Sequence, residues 1–577
     1  MKFEKANIKT PWEKYMGPVP MELDYFDGSM SEKVEDCAKN YPNITAYEFM
    51  GKKVKYKEFY AHIERAAKSL KALGVKEDEA VTICMPNCPQ AIVMFYAANM
   101  IGAKANMVHP LSGEEEIAFC INETRSAICL GLDQFYEKFD NLIHDKKIHL
   151  RALIIASIRD ELKAPLKVGY DLSEGKKYKK VKPSKEVTLW NDFLRNGKNF
   201  AGEYKVKRKY SDPAVILYSG GTTGTMKGIE LSNFNFNALG QQVIATNPMF
   251  KPGDKMLAVM PVFHGFGLGV CIHSMLSNGG CSLLIPRFDV KSYAKLLKKH
   301  KPNFIAGVPT LYEALIRLDS MDGVDLSCLK GIFSGGDSLS IELKKKLDKF
   351  LAEHKASVRV REGYGATECV TACCLTPLTE EREGSIGIPF PDTFFTICKP
   401  GTCEELPYGT EGEICLAGPT VMMRYINNPE ETENTLRVHA DGMTYVHTGD
   451  LGLMDEDGFV YFKQRIKRMI VTSGYNVYPS QIENILDAHD IVHMSCVIGV
   501  HDDYKVEKVV AYVVLKPNVR LTEDMARDQL KEYLYKRVAR YAVPKEIHFR
   551  DDLPKTLVGK VAYRKLQEEI EQEAKGE

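Results

Sequence analysis

The sequence predicts an α/β fold: a large N-terminal body of mixed sheets flanked by helices, followed by a small mobile α+β C-terminal domain. Three observations predict it. Up to about Asp140, short apolar runs of strand length alternate with amphipathic helical patterns, the signature of parallel strands joined by helices. The 577 residues exceed what one core of about 150 residues needs. After Val460 the pattern changes character, which places a boundary near Lys467 and divides the chain into 1–466 and 467–577.

The run Ala80-Val81-Thr82-Ile83-Cys84 reads as a buried strand, and Tyr60 to Leu73 as an amphipathic helix. From Lys163 to Lys209 the periodicity fades into a Lys-rich stretch, GKKYKKVKPSK, which fits a solvated, mobile insertion better than a membrane-surface or phosphate-binding patch. Periodicity resumes at Pro213. Beyond Lys467, Pro479 opens a helix over Ser480 to Ala488, two strands follow at Cys496 to Val500 and Val509 to Leu515, and a charged helix spans Thr522 to Tyr535. That is one small α+β unit.

Composition excludes several classes. With 77 basic and 77 acidic residues the net charge is +0, so nothing in the global balance supplies the clustered basic surface that nucleic acid requires. The 15 cysteines contain no Cys-x-x-Cys pair, which argues for reduced, buried thiols in the cytoplasm; Cys369, Cys373 and Cys374 read as small residues of a core or pocket. The N-terminal stretch lacks the apolar segment of a signal peptide, and Pro86, Asn87, Pro89 and Asn99 interrupt the most apolar region, so no transmembrane segment is expected.

Chemistry concentrates in a few loops. Directly after the apolar strand Ala214 to Leu217 comes Tyr218-Ser219-Gly220-Gly221-Thr222-Thr223-Gly224-Thr225-Met226-Lys227-Gly228. Glycines admit backbone N–H groups to an anion, Ser219, Thr222 and Thr223 add hydroxyl donors, and Lys227 adds charge, so the loop suits a phosphate chain. It is not a Walker A loop. The glycines alone would fit a surface turn; the buried strand before them and the lysine after them favour the phosphate. In Gly363-Tyr364-Gly365-Ala366-Thr367-Glu368, an aromatic face is followed by a hydroxyl and a carboxylate, hard oxygen donors that suit Mg²⁺ shared with a substrate phosphate. Ser334-Gly335-Gly336-Asp337 follows another apolar run. Asp450, in Thr448-Gly449-Asp450, together with Arg465 offers a carboxylate and a guanidinium for ribose or phosphate oxygens, with a plain structural ion pair as the alternative.

In this order and spacing these elements resemble the adenylate-forming superfamily of acyl-CoA synthetases, luciferases and nonribosomal adenylation domains, from about Ser31 to Leu566. The resemblance implies that Ser219 through Gly224, with Thr222 and Lys227, grip the phosphates of ATP. It implies that Tyr364 stacks on adenine, flanked by Gly363 and Gly365, with Gly335, Gly336 and Asp337 behind it, and that Asp450 and Arg465 hold the ribose. Thr367 and Glu368 would serve the α-phosphate, with Thr222 and Glu368 toward Mg²⁺. Lys560, in Pro554-Lys555-Thr556-Leu557-Val558-Gly559-Lys560, would bridge carboxylate and α-phosphate during adenylation. Lys467 would be the hinge about which the small domain turns, after which Ser473, Gly474 and Tyr475 would line a pantetheine tunnel for coenzyme A. The family usually has proline where this chain has Met226, which implies a looser phosphate loop.

His264 stands where acyl- and aryl-CoA ligases carry a substrate gate, and no aspartate there meets an amino-acid ammonium. Gly265, Gly267 and Gly269 are expected to make room for an acyl group, beside Val308, Val370, Ile388 and Phe390. The expected activity is ATP-dependent ligation of a medium- or long-chain fatty acid to coenzyme A, with release of AMP and pyrophosphate. An aryl-acid ligase, a ligase loading a carrier protein, and a noncatalytic nucleotide or acyl binder are the alternatives.

Overall fold

The computed structural model describes all residues except 7, 174–176, 179, 221–225, 473–474, 503–505, 557–560 and 576–577. Two large sheets form its centre. The eight-stranded one runs in the order Arg424–Tyr425, Met226–Ser232, Pro213–Gly220, Lys104–Met107, Ala80–Cys84, Ile128–Leu132, Ala152–Ala156 and Val187–Leu189. It is parallel from Pro213–Gly220 to its Val187–Leu189 edge. The nine-stranded sheet has a parallel centre, in the order Val360–Tyr364, Gly331–Ser334, Phe304–Gly307, Lys255–Ala258, Cys281–Leu284 and Thr45–Phe49, with antiparallel edges.

Parallel strands covered on both faces must be apolar at successive positions. Ile154 packs into a core shared by both sheets, whereas its neighbours Leu153 and Ile155 pack outward against the helices Glu114–Glu123 and Tyr136–His144. Between the sheets lie Met30–Asn40, Tyr56–Ala72, Asn233–Ala245 and Pro89–Met100. The last is apolar on every side, and all 12 of its residues are buried. A helix without a polar face belongs in a core, and Pro89 begins it at a position where the missing N–H costs nothing. Helices Val290–His300, Pro309–Ile316 and Ile341–Glu353 cover the far face of the nine-stranded sheet. The result is five layers, helix–sheet–helix–sheet–helix.

The Lys-rich segment departs from the sequence expectation. Its described residues include the helix Ala164–Leu172, the edge strand Val187–Leu189 in register with Leu153, and the helix Trp190–Asn196, whose Trp190 and Phe193 are buried. A few large apolar residues anchor it where average polarity suggested a solvated insertion. Among the described residues no helix is long and apolar enough to cross a membrane.

A five-stranded sheet, built on Phe394–Cys398, Gly412–Ala417 and Thr444–Met454, ends in Val460–Arg465. The turn Ile466–Arg468 follows, and from Ile470–Thr472 onward every strand pairs in a separate C-terminal five-stranded sheet. There the alternation is strict: Val509, Ala511 and Val513 face the helices Pro479–Asp487 and Glu523–Tyr535, while Val510, Tyr512 and Val514 face Tyr563–Lys575. Among the described residues, no apolar core cluster takes members from both sides of Lys467.

In the strand Val360–Tyr364, Glu362 is buried and accepts the Leu339 N–H at 3.0 Å. Burial pushes its carboxyl up to about 7. Because the folded value lies above the ordinary one, its contribution to stability is intact in acid and is lost as the pH rises through about 7. Glu362→Gln keeps an acceptor oxygen and removes the charge. We expect it to stabilise the protein by about 3 kcal/mol at about pH 8 and not at about pH 4, as read by denaturant unfolding. An equal effect at both pH values would contradict this account.

Candidate active site

One cleft of about 1510 Å³ lies between the body and the C-terminal unit. Ser219, Lys227, His264, Gly335, Gly336, Asp337, Gly363, Tyr364, Gly365, Thr367, Glu368, Asp450, Arg465 and Lys467 all line it. Segments 248 positions apart, from Ser219 to Lys467, thus converge, most of them following a buried strand, where loops gather at one edge of the layers.

Ser219 and Gly220 end the strand Pro213–Gly220 and pair with Lys227 and Met226 across an antiparallel hairpin. Gly221, Thr222, Thr223 and Gly224 lie outside the described residues. Lys227 is ion-paired with Glu431 and lies 5.2 Å from the centre of the Tyr425 ring. The Tyr425 hydroxyl donates to Glu368 Oε1 at 2.7 Å, so the loop lysine and the proposed metal carboxylate are joined through one aromatic residue. Neither Tyr425 nor Glu431 was legible in advance. The only local signal is the Asn428 cap of the short helix Pro429–Thr435, which says nothing about chemistry.

On the opposite wall, Gly331–Ser334 leads into Gly335 and Gly336, the latter in the left-handed region at φ 83°. A side chain at 335 would come within 3.3 Å of the Gly363 carbonyl. Asp337 accepts the Ser338 N–H at 3.0 Å. Gly365 is fixed by a closer approach: a Cβ there would stand 2.5 Å from the Thr371 carbonyl carbon and oxygen. Glu368 sits on the turn Thr367–Cys369, and the next two residues, Val370 and Thr371, both have positive φ (52° and 69°). Two β-branched residues in that region are strained, and only dense surroundings hold them there.

Asp450 and Arg465 are cross-strand partners, with Arg465 Nε 3.4 Å from Asp450 Oδ1. The Tyr364 hydroxyl donates to Asp450 Oδ2 at 2.7 Å. Burial and the Asp450 carboxylate push the Tyr364 phenol far above its ordinary value, so it remains a donor. An aromatic face, a fixed carboxylate and a guanidinium therefore stand side by side, as a nucleoside would require.

His264 accepts the Phe266 N–H at Nδ1 (3.2 Å), which assigns the ring proton to Nε2. The glycines beside it do not open the acyl pocket. A Cβ at Gly267 would lie 2.1 Å from the Pro261 carbonyl, at Gly265 2.8 Å from Thr371, and at Gly269 2.7 Å from Leu239, and none of the three lines the cleft. They permit close packing of Phe266–His273, a π-helical segment of the kind that recurs at functional sites. Val308, Val370 and Ile388 are core residues away from the cleft wall; of the expected four only Phe390 lines it. The apolar wall is made instead by Val243, Phe266, Val270, Phe333 and Leu375, supplied by segments whose meeting only the fold determines.

The C-terminal unit contributes Lys555, Thr556 and Val561 to the cleft, with Lys555 and Val561 bridged to each other. Lys560 lies outside the described residues, as do Ser473 and Gly474. Tyr475 is exposed, stacked on Tyr541 with ring centres 4.4 Å apart, and does not line the cleft. Polar contacts join the units: Ser480 Oγ donates to the Lys463 carbonyl, and His493 Nδ1 lies 3.2 Å from Glu313. Arg468 pairs with Glu483.

Comparison with known proteins agrees with this architecture. Residues 34–426 match the family described as AMP-binding enzyme, and residues 481–560 match the AMP-binding enzyme C-terminal domain. A long-chain-fatty-acid–CoA ligase of Bacillus subtilis (strain 168) is 32% identical over 97% of this chain and 98% of its own length. A probable 4-coumarate–CoA ligase of Dictyostelium discoideum is 29% identical over 89% of this chain and 90% of its own. The ATP-bound crystal structure of MatB from Rhodopseudomonas palustris superimposes with a TM-score of 0.80 at 26% identity, covering 94% of this chain and 99% of that one. The chain belongs to the AMP-binding enzymes of the adenylate-forming superfamily, and it is an acid–thiol ligase of the acyl-CoA ligase kind.

Proposed function

We propose that the protein joins a medium- or long-chain fatty acid to coenzyme A in two steps at one cleft. The observation that carries this reading is the convergence of the Pro213–Ser232 hairpin, Tyr364, Asp450 and both ends of the segment holding Lys560 on the same cavity. In the first step a carboxylate oxygen attacks the α-phosphorus of ATP and pyrophosphate leaves. In the second, the thiol sulfur of coenzyme A attacks the acyl carbonyl and AMP leaves.

Two anions meet in the first step, and charge accumulates on nonbridging oxygens, so a cation at that point lowers the barrier. Lys560 has that role here, and Lys227 binds the phosphates once they displace Glu431. Ser219, Gly220, Gly221, Thr222, Thr223 and Gly224 cradle the phosphate chain. Tyr364 stacks on adenine between Gly363 and Gly365, with Gly335, Gly336 and Asp337 behind it, while Asp450 and Arg465 hold the ribose. Thr367 serves the α-phosphate. Glu368 and Thr222 offer the oxygen donors that Mg²⁺ needs, and Tyr425, bonded to Glu368 Oε1, orients that carboxylate. When bound with ATP, Mg²⁺ neutralises phosphate charge.

The fatty-acid preference rests on the relatives named for that substrate and on the apolar wall of Val243, Phe266, Val270, Phe333, Leu375 and Phe390, since each buried CH₂ contributes about 0.8 kcal/mol. His264, which lines the same cleft, gates it. An aryl acid is the second reading, favoured by the relatives named as probable 4-coumarate ligases. The free thiols fit a reducing cytoplasm.

The joint at Lys467 gives the two steps their order. It lies between the last strand of the body and the first of the C-terminal unit, and turning there would bring Ser473, Gly474 and Tyr475 to the cleft in place of Lys560.

Lys560→Ala is expected to slow acid-dependent pyrophosphate exchange by about 10²–10³-fold; an unchanged rate would remove the lysine from the mechanism. Lys467→Pro should spare that exchange and reduce thioester formation about tenfold or more, a barrier increase of about 1.4 kcal/mol; equal loss of both steps would refute the hinge. A screen of CoA-dependent AMP release across acids should show kcat/KM rising with alkyl chain length from acetate upward, whereas a maximum at aryl acids would establish the second reading.

A further inference from the structure

The strand register of the sheet carrying Asp450 gathers a second set of reactive side chains. Cys398 pairs with Glu413, Thr396 with Cys415, and Cys415 with His447. Directly paired residues, and residues two apart along a strand, share a face. Cys398, Glu413, Cys415 and His447 therefore all project from one side of the sheet, and all are buried.

Two loops fold over that side. The loop after Phe394–Cys398 is closed by the bridge between Cys398 and Glu405 and brings back Cys403, which is exposed. The turn between Leu436–Val438 and Thr444–Met454 brings His439, half-buried and stacked on Tyr445 at 4.2 Å between ring centres.

Ligand atoms of Cys403, His439 and His447 lie within 4.8 Å of one another, and so do those of Cys398, Cys415 and His439. His439 Nε2 is 3.0 Å from His447 Nε2, and Cys403 Sγ is 3.9 Å from the same nitrogen. Tetrahedral zinc with ordinary bond lengths has N–N and N–S edges of about 3.3 and 3.6 Å, so Cys403, His439 and His447 need only small side-chain rotations, while Cys398, which clusters with His439, must turn its thiol toward the other two.

The surroundings select the donors. His447 Nδ1 donates to Glu413 Oε2 at 3.1 Å, and Glu413 Oε1 accepts the Gly449 N–H at 2.9 Å. A carboxylate behind an imidazole fixes the ring so that Nε2 presents its lone pair, the arrangement found behind metal-bound histidines. Cys415 Sγ lies 3.4 Å from Nδ1, on the wrong side of the His447 ring to share an ion with Nε2. We propose that Cys398, Cys403, His439 and His447 form a closed Cys₂His₂ site for Zn²⁺ or a metal of similar softness, backed by Glu413.

Two thiolates and two imidazoles suit zinc over magnesium or calcium, and the Cys-x₄-Cys spacing is one that structural zinc sites use. Exposed Cys403 gives the ion a path in. Its role is structural. It pins two hairpin ends to the strand that also bears Asp450, beside the cleft that His447 and Glu413 help to line.

The test uses the full chain and reads the metal directly. Elemental analysis of protein from zinc-supplemented culture should find about one Zn²⁺ per chain. Co²⁺ in its place should give tetrahedral ligand-field bands and a thiolate charge-transfer band. Cys403→Ser with His439→Gln, both at the accessible edge of the cluster, should abolish stoichiometric binding while circular dichroism stays that of the folded chain, and Cys415→Ser should leave the cobalt spectrum intact. Thermal unfolding of the parent, and not of the double variant, should shift downward on chelation. No stoichiometric Zn²⁺ or Co²⁺ in the parent, or a cobalt spectrum unaffected by the double variant, would overturn the site. Loss of the thiolate band in Cys415→Ser but not in Cys398→Ser would overturn this ligand set.

Discussion

Burial of both faces of two parallel sheets is the constraint from which the rest of the molecule follows. Once Ile154 faces one layer and Leu153 and Ile155 another, no position along that strand remains for a charge, and most polar chemistry falls at strand ends. The phosphate-loop hairpin, Gly335-Gly336 and the Gly363–Glu368 stretch all lie where buried strands stop. Even the strain at Val370 and Thr371 belongs here: a turn between tightly packed layers can hold β-branched residues at positive φ because its neighbours leave it no alternative.

The fold was legible wherever pattern and burial coincide. The run Ala80 to Cys84 and the helix through Tyr60 to Leu73 both depend on the spacing of apolar residues, which the chain carries locally. Motif loops were equally readable, because glycine, hydroxyl and charge in one short stretch restrict the chemistry available to it. Partnerships were not. Glu431 reaches Lys227 from 204 positions away, and Tyr425 reaches Glu368 from 57.

Some residues misled for physical reasons. A missing Cβ reads the same whether it opens a cavity or admits another backbone, and at Gly267 it is the Pro261 carbonyl that uses the space. Average polarity hid the anchors Trp190 and Phe193 within a lysine-rich stretch. Of the cysteines in this cluster only Cys398 and Cys403 are near in sequence; strand register, invisible in the chain, brings Cys415 and His447 to them.

The boundary at Lys467 has a thermodynamic consequence. No apolar cluster among the described residues spans it, and the contacts that cross it, Ser480 to the Lys463 carbonyl and His493 to Glu313 and Arg317, are polar. Heat-capacity changes track apolar surface exposed. If the two units part there as proposed, the parting would carry little of the curvature that marks unfolding, and warming or cooling would shift their balance only gently. On that proposal, ionic strength and the charge of whatever occupies the cleft would be the stronger levers on which way the smaller unit faces.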